Sequence, residues 1–100
     1  MSRRSAYDVL GVAKSASEQE IRSAYRGLVR REHPDLNGGG PDSHERFLEI
    51  KAAYEILADA DRRVAYDRDP DSTWEVQLAI ELRAAQLRRR RRRLRRLYEA

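Results

Sequence analysis

Ser17-Glu-Gln-Glu-Ile-Arg-Ser-Ala-Tyr-Arg-Gly-Leu-Val-Arg-Arg-Glu-His33-Pro34-Asp35 is the stretch on which the fold turns. Ser17 followed three residues later by Glu20 is a capping box, in which each side chain satisfies the other residue's orphan amide. From there Ile21, Tyr25 and Leu28 recur at i, i+4 and i+7, the inner face of an amphipathic helix. Arg22, Arg26 and Arg30 recur at i, i+4 and i+8 on another face. The helix must stop by His33, because Pro34 disfavours helical dihedrals in the residue before it.

Outward from this helix the chain reads as further helices. Ser5 caps a short helix with Asp8 in its first turn, and Gly11-Val12 reads as a left-handed stop. Asp35-Leu-Asn-Gly-Gly-Gly-Pro41 is a loop. Asp42 and Glu45 restart a helix on which Phe47, Ile50, Tyr54 and Leu57 share a face. Asp59 or Asp61 caps a short helix through Arg62–Tyr66. No segment alternates with period two, so the expected fold class is all-α. The two long helices are expected to form an antiparallel hairpin, with Tyr7 and Leu10 completing its core.

One hundred residues make room for one small domain, or a very small domain plus an extension. The absence of cysteine excludes disulfides, cysteine-ligated zinc and a thiol nucleophile. No run reaches the roughly 18 apolar residues of a membrane span. The opening MSRRSAYDVLGVAKS has no long apolar stretch and no small-residue cleavage site, so no signal peptide is expected. The expected location is the cytoplasm. These counts favour a helical binding module over a free-standing enzyme.

His33-Pro34-Asp35 at the hairpin tip is open to several chemical readings. A metal site needs three or four ligands, and the chain has only His33 and His44 as imidazoles. Asp35, Asn37 and Gly40 fall at positions 1, 3 and 6 of a calcium loop. Arg46 stands at position 12, where a bidentate Glu is required, and the match fails. No local motif supplies a nucleophile–base pair with an oxyanion site. No metal or cofactor is therefore expected. By itself the tripeptide reads as a helix stop and turn, stiffened by its proline.

Taken together, Tyr7-Asp-Val-Leu-Gly-Val12, Ile21-Arg-Ser-Ala-Tyr-Arg26, His33-Pro-Asp35, Arg46-Phe-Leu-Glu-Ile-Lys-Ala-Ala-Tyr-Glu-Ile-Leu57 and Arg62-Arg-Val-Ala-Tyr-Asp67 resemble a J-domain, the signature of the DnaJ-type co-chaperones. The resemblance covers about residues 5–68. It implies a four-helix fold and a partner: the ATP-bound form of a DnaK-type 70-kDa heat-shock chaperone, whose ATP hydrolysis a J-domain stimulates. It implies that His33, Pro34 and Asp35 form the trigger. It makes Arg22, Arg26, Arg30 and Arg31 the basic face that docks on the partner. Three positions depart from the usual pattern. Gly27 stands where lysine is frequent, Glu32 where an aromatic often precedes the histidine, and Leu36 where lysine often follows the aspartate. They bear on the strength of docking and on which DnaK-type partner is used.

The expected organisation is a J-domain at 1–68, a linker at 69–72 and an Arg-rich amphipathic helical extension at 73–100. No Gly/Phe region, zinc domain or client-binding domain is recognisable in the sequence. Residues 1–70 carry 12 basic and 13 acidic side chains, whereas residues 71–100 carry 9 and 4. Ser72 and Glu75 read as a further capping box. Trp74, Leu78, Leu82 and Ala85 make one apolar stripe, and Ile80, Leu87, Leu94 and Leu97 another, with Tyr98 beside it. Arg88, Arg89, Arg90, Arg91, Arg92, Arg93, Arg95 and Arg96 repel one another at i,i+4 spacing, so the block is expected to fray unless an anion is present.

An anionic membrane surface, a nucleic acid or an acidic protein would supply that anion, and the leucine stripe ranks lipid first. In a longer chain the same block would suit the cytoplasmic flank of a membrane span. The leading functional expectation is a monomeric J-domain co-chaperone, not itself an enzyme, with the tail deciding where it acts. The alternative is a nucleic-acid-binding or membrane-surface-binding adaptor acting through the Arg-rich helix, which would give it a membrane-proximal position in the lipid case.

Overall fold

The computed structural model describes residues 4–33 and 41–99, with side chains from 44 onward in the second stretch. Five helices follow in order: α1 Ala6–Leu10, α2 Glu18–Glu32, α3 Pro41–Leu57, α4 Ala60–Arg68 and α5 Pro70–Glu99. There is no strand among the described residues. The all-α expectation holds.

Local chemistry sets the helix ends. Ser5 Oγ accepts from the Asp8 amide at 3.0 Å, and the Asp8 carboxylate accepts from the Ser5 amide at 3.2 Å. The same box closes α2 between Ser17 and Glu20. Gly11 takes φ 71°, the left-handed stop expected after α1, and its N–H returns to the Asp8 carbonyl. Asp59, not Asp61, caps α4, accepting from the amides of Asp61 and Arg62. The hydrophobic side chains of α2 and α3 then zip the antiparallel hairpin. Tyr25 stacks flat on Tyr54, with ring centroids 3.9 Å apart.

The core gathers Tyr7, Leu10, Ile21, Ile50, Ile56 and Leu57 around the alanines Ala52 and Ala53, and Trp74 of α5 joins it. Helix α3 is the hub, packed against every other helix. That is why it buries Leu48, Ala52 and Ile56 as well as the Ile50 and Leu57 of its expected face.

The 69–72 stretch is not a linker of four residues. Asp69 alone separates α4 from α5, and α5 begins at Pro70 rather than 73. Asp69 closes both helices: its N–H donates to the Ala65 carbonyl and its carboxylate accepts from the Ser72 amide at 3.4 Å. Asp69 therefore takes the capping role expected of Ser72, with Pro70 at the first helical position, where a missing N–H costs nothing.

Helix α5 returns along α3 in antiparallel register. The Glu81 carboxylate lies 3.6 Å from Lys51 Nζ, and further along α5 Arg88, Arg89 and Arg92 act electrostatically on His44. Its buried face is Trp74, Gln77, Glu81 and Ala85, whereas Leu82, expected in that stripe, is 43% exposed. Gln77 and Glu81 can be buried because they are partnered. Gln77 donates to Glu81 at 3.3 Å, and Arg62 donates to Gln77 at 3.4 Å.

The arginine block, expected to fray, is helical through Glu99. Four turns anchored on α3 remove the nucleation cost, and arginine has a high helix propensity, so the block only has to propagate.

Candidate functional site

The site is built on the outer face of α2 and the adjoining hairpin tip. With Ile21, Tyr25 and Leu28 turned to the core, the 3.6-residue period leaves Arg22, Arg26 and Arg30 on the exposed side, where Arg31 is exposed as well. No carboxylate lies within ion-pair distance of Arg22, Arg26 or Arg30 among the described residues. Their charge is available to solvent or a partner. A Cβ placed on Gly27 would meet nothing within 4 Å, so no close contact requires glycine there. Its cost is the roughly 1 kcal/mol of helix propensity lost against alanine.

His33 ends α2. Its backbone is extended, with φ −60° and ψ 131°, as a residue before proline prefers, and its N–H still donates to the Val29 carbonyl at 3.1 Å. The imidazole is half-buried, edge-on to the Phe47 ring with centroids 5.1 Å apart. Phe47 of α3 thus packs against the residue that ends α2. Sequence reading gave Phe47 only a core role. Pro34 and Asp35 lie outside the described residues.

Glu32, the acid beside the basic face, is turned to α3, where its carboxylate accepts from Arg46 at 3.3 Å. The pair ties α2 to α3, and it sets a cation against the one acid beside the basic face.

At the same end of the bundle, α5 brings its arginines alongside the first turns of α3. The His44 imidazole is held below its ordinary pKa, first by partial burial and then by Arg89, Arg88 and Arg92, with Glu45 opposing. The cationic tail thus lies beside the start of α3.

A second cluster lies at the opposite end. Arg63 Nη2 donates to the carbonyls of Lys14 and Ala16 at 3.0 and 2.8 Å, and its Nε donates to Tyr7 Oη at 3.2 Å. Tyr7 in turn donates to Asp67 at 2.8 Å, and its hydroxyl pKa is raised chiefly by burial. Tyr66 Oη accepts from the Ala6 amide at 2.8 Å. These bonds explain why the Arg62–Asp67 motif accompanies Tyr7-Asp-Val-Leu: it pins α1 and the α1–α2 loop to α4. Among the described residues, no group of three or more His, Cys, Asp or Glu side chains is placed to hold a metal ion.

The model of the DnaJ domain matches residues 5–67. The chain belongs to the DnaJ domain family. It is 49% identical over 75 residues to the chaperone protein DnaJ of Ruegeria pomeroyi, covering 75% of this chain and 20% of that protein. The DnaJ of Bordetella petrii is 52% identical over 68 residues, 68% of this chain and 18% of that protein. Among solved structures, the J-Trx1 fragment of ERdj5 superposes with a TM-score of 0.64 at 45% identity, over 67% of this chain and 33% of that one. The chain thus spans about a fifth of the length of these DnaJ relatives. The family match ends at residue 67, so the whole of α5 lies outside it. No helix among the described residues is long and apolar enough to cross a membrane.

Proposed function

We propose that this protein is a J-domain co-chaperone that docks on the ATP-bound form of a DnaK-type 70-kDa chaperone and stimulates its ATP hydrolysis, acting as an activator and not as an enzyme. The observation that carries the reading is the DnaJ domain match across residues 5–67 with His33-Pro34-Asp35 intact, beside the exposed arginines Arg22, Arg26 and Arg30 on α2. Arg22, Arg26, Arg30 and Arg31 steer the encounter with acidic partner surface and set its orientation. His33, Pro34 and Asp35 then form the trigger, with the Asp35 carboxylate available for a charge-assisted pair with a partner arginine. The chain works as a monomer in this role, in the cytoplasm.

The basic face is tested by reversing its central charge. Stopped-flow binding to a DnaK-type chaperone in ATP, repeated across a salt series, should show a slower on-rate for Arg26→Glu at low salt. Its salt dependence should also be shallower than that of the parent. Identical salt slopes for the two proteins would remove α2 from the docking surface.

A further inference from the structure

Beyond the family match, α5 carries a surface that the co-chaperone reading does not use. At 3.6 residues per turn, Val76, Ile80, Leu87, Leu94 and Tyr98 fall within about 40° of one another, along about 33 Å of helix. They lie about a third of a turn away from the Trp74–Ala85 face that packs on α3, so the body of the protein does not cover them. Their exposures are 62%, 50%, 40%, 43% and 87%. Around the last three turns stand eight arginines, seven of them exposed and Arg88 half-buried. No carboxylate lies within ion-pair distance of any of the eight among the described residues. Arg90 and Arg91 flank the apolar stripe on its two sides.

We propose that α5 is a peripheral membrane-binding helix, which lays its exposed stripe into the boundary of an anionic bilayer while the arginines engage lipid phosphates. Charge complementarity decides the occupant. A second copy laid parallel would set one arginine block against another, and one laid antiparallel would leave both blocks without acidic partners along the stripe, so charge gives self-association no support. A nucleic acid answers the charge, but it leaves five large apolar side chains in water. A helix lying at headgroup depth meets apolar tails below and phosphates on both flanks, and long arginine stems can reach those phosphates from all round the helix. The helix is already formed through Glu99, so binding does not have to order it first. This proposal stands apart from the docking role of α2 and does not depend on it.

The test is co-sedimentation of the full chain with phosphatidylcholine vesicles, with vesicles containing phosphatidylglycerol, and competition by duplex DNA and poly-glutamate. Anionic vesicles should bind the chain and neutral ones should not. Leu87→Ser/Leu94→Ser should weaken vesicle binding by at least about fivefold. Both sites are solvent-exposed, so far-UV circular dichroism and DNA binding should not change. Equal binding to neutral and anionic vesicles would overturn the proposal. So would a loss of less than about fivefold in the serine variant, or tighter binding to DNA or poly-glutamate than to anionic vesicles at physiological salt.

Discussion

Arg63 holds together parts of the chain that are nearly fifty residues apart in sequence. Its guanidinium reaches two carbonyls of the α1–α2 loop and the Tyr7 hydroxyl, and it lies 5.5 Å from the Tyr7 ring centre. A planar fork with several donors can serve all of these at once, and an ammonium cannot. Arg63→Ala should therefore cost about 2 kcal/mol, lowering Tm by roughly 10 °C, and Arg63→Lys should recover less than half of that. A thermal melt of Arg63→Ala within about 2 °C of the parent would show the network to be incidental. The residue scale also contains what sequence reading could not supply. Arg63 is one of two adjacent arginines in a charged helix, and nothing local distinguishes it from Arg62. Only its fractional burial and its three acceptors do. Phe47 is similar: its place on the apolar face of α3 was legible, but its edge contact with His33 depends on how two helices cross.

At the scale of elements, what was legible is what is local. Ser5, Ser17, Asp59 and Gly11 end or begin their helices through bonds spanning two to four residues, and such bonds are written in the sequence. The α2–α3 hairpin followed from periodicity and Pro34. The contact face of α5 followed only in part: Trp74, Leu78 and Ala85 were legible, Gln77 and Glu81 were not. Helix α5 rests on α3 through Gln77 and Glu81, partnered by Arg62 and Lys51, and an apolar stripe search passes over two polar residues that only a tertiary partner makes buriable. The same search left out Leu48, Ala52 and Ile56, because a helix packed on several sides has no single apolar face.

The register of α5 makes a prediction about His44. Its folded pKa lies below the ordinary histidine value, so the unfolded chain binds more protons in that range. Its contribution to folding stability is complete above about pH 6.5 and is lost as the pH falls from there toward the folded pKa. Salt screens only the arginine part of the depression. An NMR titration should therefore show the His44 pKa rising with salt, and rising again when Arg88, Arg89 and Arg92 are replaced by Gln. If neither change moves it, α5 does not run beside the start of α3.

For the whole molecule, α5 changes the division of the chain. A near-neutral body and a basic tail were expected as separate parts, yet Trp74 belongs to the core and α5 sets the long axis of a molecule of 51 × 28 × 26 Å. The arginine row of α2 and the arginine block of α5 flank one hairpin, on helices that both pack against α3. The central claim is that this arrangement serves activation of a DnaK-type chaperone through His33-Pro34-Asp35. The most direct measurement is single-turnover ATP hydrolysis by such a chaperone, with the parent protein and with Asp35→Asn, whose fold is checked by circular dichroism. The substitution is nearly isosteric and deletes only the charge. The account predicts clear acceleration by the parent, and a folded variant that leaves hydrolysis at its basal rate. A folded Asp35→Asn protein that accelerates hydrolysis as well as the parent would contradict it.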